Sequence, residues 1–316
     1  MANPQELEAL TSAISGLGVD EKLMISILGK SNLEHKKSFR KANTHLFIED
    51  EERSFEHWDD QRRIYFFRHE FVRFENAWVL WAMHPWERDA RLIHESLKEG
   101  PQSYGVIVEV ACTRTSEGLL GARKAYHSIF DHSVEEDIGT HIHGSLYKLL
   151  VALVSAYRYE GPKIKEETAK YEAETLALTI KSGAKLIEDD EVVRILVTRS
   201  KPHLNSIYKH YRDVTGKSIT EDVGDFDLIF KQTIECLFTP YAYFSKVLDD
   251  AMRSDADHNT QNGLTRVITT RAEADLKEIE KEYNSLYGNS LAAKVESVAK
   301  GNYKDFLLSL IGRENE

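Results

Sequence analysis

The sequence predicts an all-α fold built from four repeated units. Three observations predict it: a recurring Thr-Arg motif, an aromatic residue that closes each unit at long spacing, and apolar residues set at helical intervals. Cys112-Thr113-Arg114-Thr115, Val197-Thr198-Arg199-Ser200 and Thr269-Thr270-Arg271-Ala272 align without gaps. A tyrosine follows each arginine by twelve positions, at Tyr126, Tyr211 and Tyr283. A weaker first copy passes through Leu28-Gly29-Lys30-Ser31. The closing aromatics Phe74, Tyr147, Phe230 and Tyr303 stand 73, 83 and 73 residues apart. Known two- and three-helix repeats run to roughly 33 to 47 residues, so this period implies four to five helices per unit.

Inside a unit the spacing is helical. Val106, Ile107, Val110 and Ala111, then Leu119, Leu120 and Ala122, follow i, i+3, i+4 faces, and Val192, Val193, Ile195 and Leu196 do the same in the third unit. Gly161-Pro162, Thr215-Gly216 and Tyr287-Gly288 are turn or helix-stop signals. No alternating strand pattern stands out.

The chain has 316 residues, with 41 Lys and Arg against 52 Asp and Glu, a net charge of −11. No basic stripe is present to neutralise phosphates, which argues against nucleic acid as a partner. Contact with an acidic membrane requires a bridging cation. Cys112 and Cys236 are too few for a disulfide framework and no Asn-x-Ser/Thr sequon occurs, both of which suit a reducing cytoplasmic compartment. Apolar runs such as 149–154 are far short of the ~20 residues a spanning helix needs. Met1-Ala2-Asn3-Pro4 is neither a signal peptide nor a myristoylation start.

Several longer runs carry a family resemblance. Val110-Ala111-Cys112-Thr113-Arg114-Thr115, Arg123-Lys124-Ala125-Tyr126-His127, Ser155-Ala156-Tyr157-Arg158-Tyr159-Glu160-Gly161 and Thr269-Thr270-Arg271-Ala272 resemble the second and fourth repeats of plant annexins. Trp81-Ala82-Met83-His84-Pro85-Trp86-Glu87-Arg88-Asp89 and Gly301-Asn302-Tyr303-Lys304-Asp305-Phe306 are most similar to the annexin-four type. The resemblance covers nearly the whole chain. It implies four repeats of about five helices in a curved disk, over 1–83 (with an insertion near 48–61), 84–158, 159–242 and 243–316. It also implies calcium as the cofactor and reversible, calcium-dependent binding to acidic phospholipid from the cytoplasm, peripheral on membranes when calcium rises.

Gly16-Leu17-Gly18-Val19-Asp20-Glu21 lies between two helical stretches. Two glycines let the backbone turn so that carbonyls converge, and calcium takes such oxygens at roughly 2.3–2.6 Å. The loop is similar to the annexin Gly-x-Gly-Thr pattern, with Val19 in place of threonine. Carried over, the pattern makes the Ile14, Gly16 and Gly18 carbonyls ligands and puts Leu17 and Val19 against lipid. It also asks for an acid 38 to 40 residues on, where Trp58 stands; counting back from Phe74, past the insertion, selects Glu70. In the fourth repeat Asp255 and Asp257 are candidate calcium ligands in a loop without the glycine pair, and the downstream acid position is Val298. No comparable site is expected at Gly100-Pro101-Gln102 or Gly183-Ala184-Lys185.

Asp89, Glu109, Arg114 and Arg266 fall on positions that line a polar channel in annexins, which gives a cation-conducting alternative; a protein-binding helical scaffold is a third. Arginines in helical repeats also bind carboxylates structurally. Val193-Arg194-Ile195 is similar to a short segment linked to F-actin binding in the family, and another annexin copy is a further possible partner. No enzyme activity is expected. A P-loop ending at Gly216-Lys217-Ser218 needs glycine where Tyr211 stands. His45 lies one residue past the position of the histidine linked to peroxidase-like activity in some plant annexins. His141 and His143, two apart, diverge on a helix. Core burial is the simpler account of Cys112 and Cys236.

Overall fold

A computed structural model describes residues 4–28, 33–50, 55–155, 158–183, 185–224 and 228–313. Residues 29–31 of the first motif copy, 156–157 of the Ser155–Gly161 run and Ala184 lie outside them. The described structure is mostly helical, as expected, and divides into two compact units: Met1–Ala82 with Phe244–Glu316, and Met83–Tyr243.

The first unit opens with α1 (Pro4–Ala13), α2 (Glu21–Leu28) and α3 (Leu33–Ala42), followed by strands β1 (Phe47–Asp50) and β2 (Phe55–Trp58). α4 (Asp60–Tyr65) runs into a π-helical turn, Phe66–Glu70, and α5 (Arg73–Ala82) ends the segment. The second unit holds α6 (Pro85–Glu99), α7 (Gly105–Thr113), α8 (Ser116–Phe130), α9 (Val134–His141), α10 (Gly144–Val154), α11 (Glu166–Lys181), α12 (Asp190–Thr198), α13 (Lys201–Thr215), α14 (Ile219–Asp222) and α15 (Leu228–Phe238). α16 (Pro240–Ala251) crosses back, and α17 (His258–Arg271), α18 (Leu276–Tyr287), α19 (Leu291–Val298) and α20 (Gly301–Ile311) complete the first unit.

The recurring motif has a physical reading. Its arginine closes on an acid each time: Arg114 forks Asp89 at 2.6 and 2.8 Å, Arg199 holds Glu172, and Arg271 forks Asp275 at 2.7 and 2.6 Å. The residue after the arginine caps the next helix in two copies, Thr115 accepting from the Gly118 N–H and Ser200 from the His203 N–H. Ala272 cannot cap, and Asp275 at the start of α18 makes no side-chain cap because Arg271 occupies its carboxylate. The tyrosine twelve residues on is buried each time. Tyr126 and Tyr211 donate to Asp137 and Asp222, eleven positions later, at 2.6 and 2.9 Å. Lys294 holds the matching position in the last copy, so Tyr283 donates instead to Asp249 at 3.0 Å. Two of the expected stops are helix C-caps in the left-handed conformation, Gly216 and Gly288.

The strands are the departure from an all-α reading. The insertion forms an antiparallel hairpin pairing Phe47 with Trp58 and Ile48 with His57; residues 51–54 of it lie outside the described region. Phe47 packs on Trp58, ring centroids 4.3 Å apart, and on Phe39 of α3. Phe39, Leu46, Phe47 and Phe66 then join Leu10, Ile14 and Val19 in one buried cluster. The hairpin thus becomes part of the floor beneath the 14–20 loop.

Candidate metal centre

α1 ends at Ala13 because the chain needs positive φ twice within five residues: Gly16 has φ +96° and Gly18 φ +83°. The turn closes through the Asp20 N–H donating to the Ala13 carbonyl at 2.9 Å, and the Asp20 carboxylate starts α2 by accepting from the Leu23 N–H at 3.0 Å. Leu17 forms a short parallel bridge with the α19–α20 junction: its N–H donates to the Val298 carbonyl at 2.9 Å, and its carbonyl accepts from the Lys300 N–H at 2.8 Å. The approach is close, since a Cβ on Gly16 would lie 2.5 Å from the Val298 oxygen and one on Gly301 2.0 Å from the Val19 oxygen.

Gly301 also has φ +54°, so Gly301→Ala combines a left-handed backbone with a backbone collision. Gly288 has φ +70° with open space around it, which makes Gly288→Ala the control for conformation alone. We expect Gly288→Ala to destabilise by about 1 kcal/mol and Gly301→Ala by at least about 2 kcal/mol in urea denaturation. Equal losses would refute the close packing of the junction on the loop.

Glu70 is brought to this loop from 52 residues away. One of its oxygens, Oε2, accepts from the Gly18 N–H at 2.7 Å. The π-helical turn ends at Glu70, with the Phe71 N–H reaching the Phe66 carbonyl at 3.2 Å, and Arg73 follows at i+3. Arg73 forks the carboxylate, Nε to Oε2 and Nη2 to Oε1, both at 2.7 Å, and Nη2 also donates to the Gln261 side-chain oxygen at 2.7 Å. Glu70 is 7% and Arg73 4% exposed. Burial alone would pull the guanidinium pKa down; hydrogen bonding and the charge of Glu70 overcome it, so the net shift is upward. Beside them the His69 and His258 rings lie 3.6 Å apart, and burial, then His69 and Arg73, push His258 down to about 4.

The donor set suits calcium. Among the described residues no hydrogen bond ends on the carbonyls of Ile14, Gly16 or Gly18, and the Glu70 carboxylate reaches the loop at the Gly18 N–H. Neutral carbonyls and a single acid are hard oxygen donors of the kind calcium selects. The acid is not free, because Arg73 engages both of its oxygens.

Other candidates are placed differently. Leu17 and Val19, expected against lipid, are 6% and 2% exposed. Leu17 is pinned on both sides of its backbone to residues 298–300, and Val19 belongs to the buried cluster over the hairpin. This corrects the reading of a protruding apolar tip. In the fourth repeat Asp255 is forked by Arg253, both bonds 3.0 Å, which holds its carboxyl below the usual range. Asp257 caps α17 by accepting from the Thr260 N–H at 2.8 Å, and Val298 supplies only a carbonyl, used by Leu17. Each aspartate is accounted for by its immediate neighbours.

Asp89 and Arg114 form a closed ion pair in the second unit, with Asp89 1% exposed, and Glu109 accepts from the Tyr243 hydroxyl at 3.1 Å. Arg266 belongs to the first unit. Arg194 of the 193–195 segment is held by Glu191 and Glu172, and Ile195 is fully buried. Both cysteines are buried, and burial pushes the Cys112 thiol up to about 11, which suppresses thiolate chemistry at neutral pH. Arg73, Gln261 and the histidine pair were not anticipated; the i, i+3 spacing of Glu70 and Arg73 was the one available signal.

The model of the Annexin family matches residues 88–153, 172–226 and 243–310. Annexin D4 of Arabidopsis thaliana is 53% identical over 324 aligned positions, covering 100% of both chains. The annexin-like protein RJ4 of Fragaria ananassa is 38% identical over 316 positions, covering 98% of this chain and 96% of its own. Among solved structures, annexin III superposes with a TM-score of 0.69 at 25% identity, covering 100% of this chain and 97% of that one. A calcium-bound annexin (Sm)1 matches at a TM-score of 0.66, 18% identity, 99% of this chain and 90% of that one, which speaks to the fold alone.

Proposed function

The chain belongs to the annexin family, a plant annexin by its relatives, and on that premise we propose that it binds acidic phospholipid membranes reversibly through calcium held in the 14–20 loop. Annexins in general bind phospholipid in a calcium-dependent way and are generally non-enzymatic. The observation that carries the reading for this chain is the 2.7 Å bond between the Gly18 N–H and Glu70, which puts an acid at the glycine loop despite the insertion between them.

In this reading the Ile14, Gly16 and Gly18 carbonyls and the Glu70 carboxylate hold the ion. A calcium ion there supplies the positive charge that links a protein of net charge −11 to lipid phosphate. Gly16 and Gly18 set the carbonyl directions, and the α19–α20 junction braces the turn through Leu17. Because Leu17 and Val19 are buried, affinity rests on ion bridging rather than on an inserted side chain. No described helix is long and apolar enough to cross a membrane, which suits peripheral attachment from the cytoplasm.

Sedimentation with phosphatidylserine–phosphatidylcholine vesicles tests this. The protein should pellet with calcium, return to the supernatant on adding chelator, and stay unbound on pure phosphatidylcholine. Equal pelleting with calcium and with chelator would remove ion bridging from the account.

A further inference from the structure

We propose that Arg73 is an internal competitor for the calcium site, a resident cation that must loosen its hold on Glu70 before the loop can bind the ion, and so raises the calcium concentration at which binding begins. The inference rests on the reading of Glu70 as the acid of that site.

A carboxylate closing a calcium shell must turn oxygen lone pairs toward the ion. Here Oε1 is taken by Arg73 Nη2, and Oε2 by both Arg73 Nε and the Gly18 N–H, all at 2.7 Å. The guanidinium stays charged at any relevant pH and its fork matches the carboxylate. Arg73 is almost wholly buried, so little water screens its repulsion of a divalent ion sharing the same acid. Ion binding is therefore an exchange of cations on Glu70.

The surroundings provide for that exchange. Gln261 on α17 already accepts from Nη2, and its own amide is anchored to the Ala256 carbonyl at 3.1 Å. The guanidinium retains this partner when it yields a bond to Glu70. Apparent affinity falls by the fraction of molecules in which the carboxylate is available. Removing the competitor makes that fraction close to one.

The test is calcium titration calorimetry and thermal melting, without lipid, on the full chain as wild type, Arg73→Gln, Arg73→Lys and Glu70→Gln. Arg73→Gln should bind calcium at least tenfold tighter than wild type, and its melting temperature should rise more on adding calcium. A wild type silent in the titration beside a binding Arg73→Gln protein supports masking equally. Arg73→Lys keeps a charge without the planar fork and should fall between the two. If Arg73→Gln fails to fold, the lysine variant decides: tighter binding than wild type supports competition, and unchanged or weaker binding overturns it. Wild type and Arg73→Gln binding equally would overturn the competitor role and leave the site intact, provided Glu70→Gln abolishes binding. Absence of binding in wild type and both Arg73 variants would remove the calcium reading itself, and this inference with it.

Discussion

Glu70→Gln should lose calcium binding and, separately, destabilise the protein in the absence of calcium. The two effects have different origins. Replacing the single acid of the site by a neutral amide removes its only formal negative charge, and calcium affinity in oxygen sites follows ligand charge. A loss of at least about 100-fold is expected, seen as failure to pellet with vesicles at calcium levels that pellet wild type. The stability effect comes from Arg73, which remains 4% exposed and faces an amide that cannot accept from both arms of the guanidinium. Breaking a buried ion pair from one side costs about 3–5 kcal/mol. The double variant Glu70→Gln/Arg73→Gln separates the effects. It removes the orphaned charge, so much of the stability returns, while calcium binding stays lost. Calcium dependence surviving in Glu70→Gln would show that another group closes the site.

The helical repeats were legible because their signals are local or recur at fixed spacing. The Thr-Arg motif, the buried tyrosine and the left-handed caps at Gly216 and Gly288 each depend on neighbours within one repeat. The Gly16 and Gly18 turn was legible for the same reason, and Glu70 could be counted back from Phe74, whose ring packs edge-on against Phe306 at 5.8 Å. What failed depended on distant chain. Leu17 and Val19 look like an exposed tip until residues 298–301 are laid across them, nearly the whole sequence away. The hairpin escaped notice because Phe47-Ile48-Glu49-Asp50 does not alternate, and its burial comes from α3 and the loop rather than from its own pattern. In the fourth repeat, Asp257-His258-Asn259-Thr260 carries a helix-cap spacing, and that local role outranked the metal reading.

Glu172→Gln should give the largest loss of stability in the second unit, and one with a defined pH signature. Glu172 on α11 is 1% exposed and accepts from Arg194 at 2.8 Å, from Arg199 Nε at 2.9 and 3.1 Å, and from His203 Nε2 at 2.9 Å. It ties α12 and α13 to α11 through one carboxylate, whereas Asp89 and Asp275 each serve the motif arginine alone among the bonds described above. The amide leaves two guanidinium groups, 39% and 31% exposed, around a neutral acceptor, and Arg194 keeps Glu191, so the loss is about 1–3 kcal/mol and the melting shift on the order of 5 °C. Burial pushes the Glu172 carboxyl up, but bonds from Arg199, Arg194 and His203 overcome it and hold it below its ordinary 4.5. A group with a depressed folded-state pKa stabilises fully above its unfolded value and loses that contribution as pH falls through the folded one. The melting difference between wild type and Glu172→Gln should therefore narrow as pH falls below 4.5, where the wild-type carboxyl itself protonates. Comparing the two proteins at each pH cancels the acid response of groups remote from Glu172, though not that of His203, which is bonded to it. A difference that stayed constant or widened on acidification would mean that the carboxylate charge contributes nothing to this junction, leaving shape and packing to hold α11 against α13.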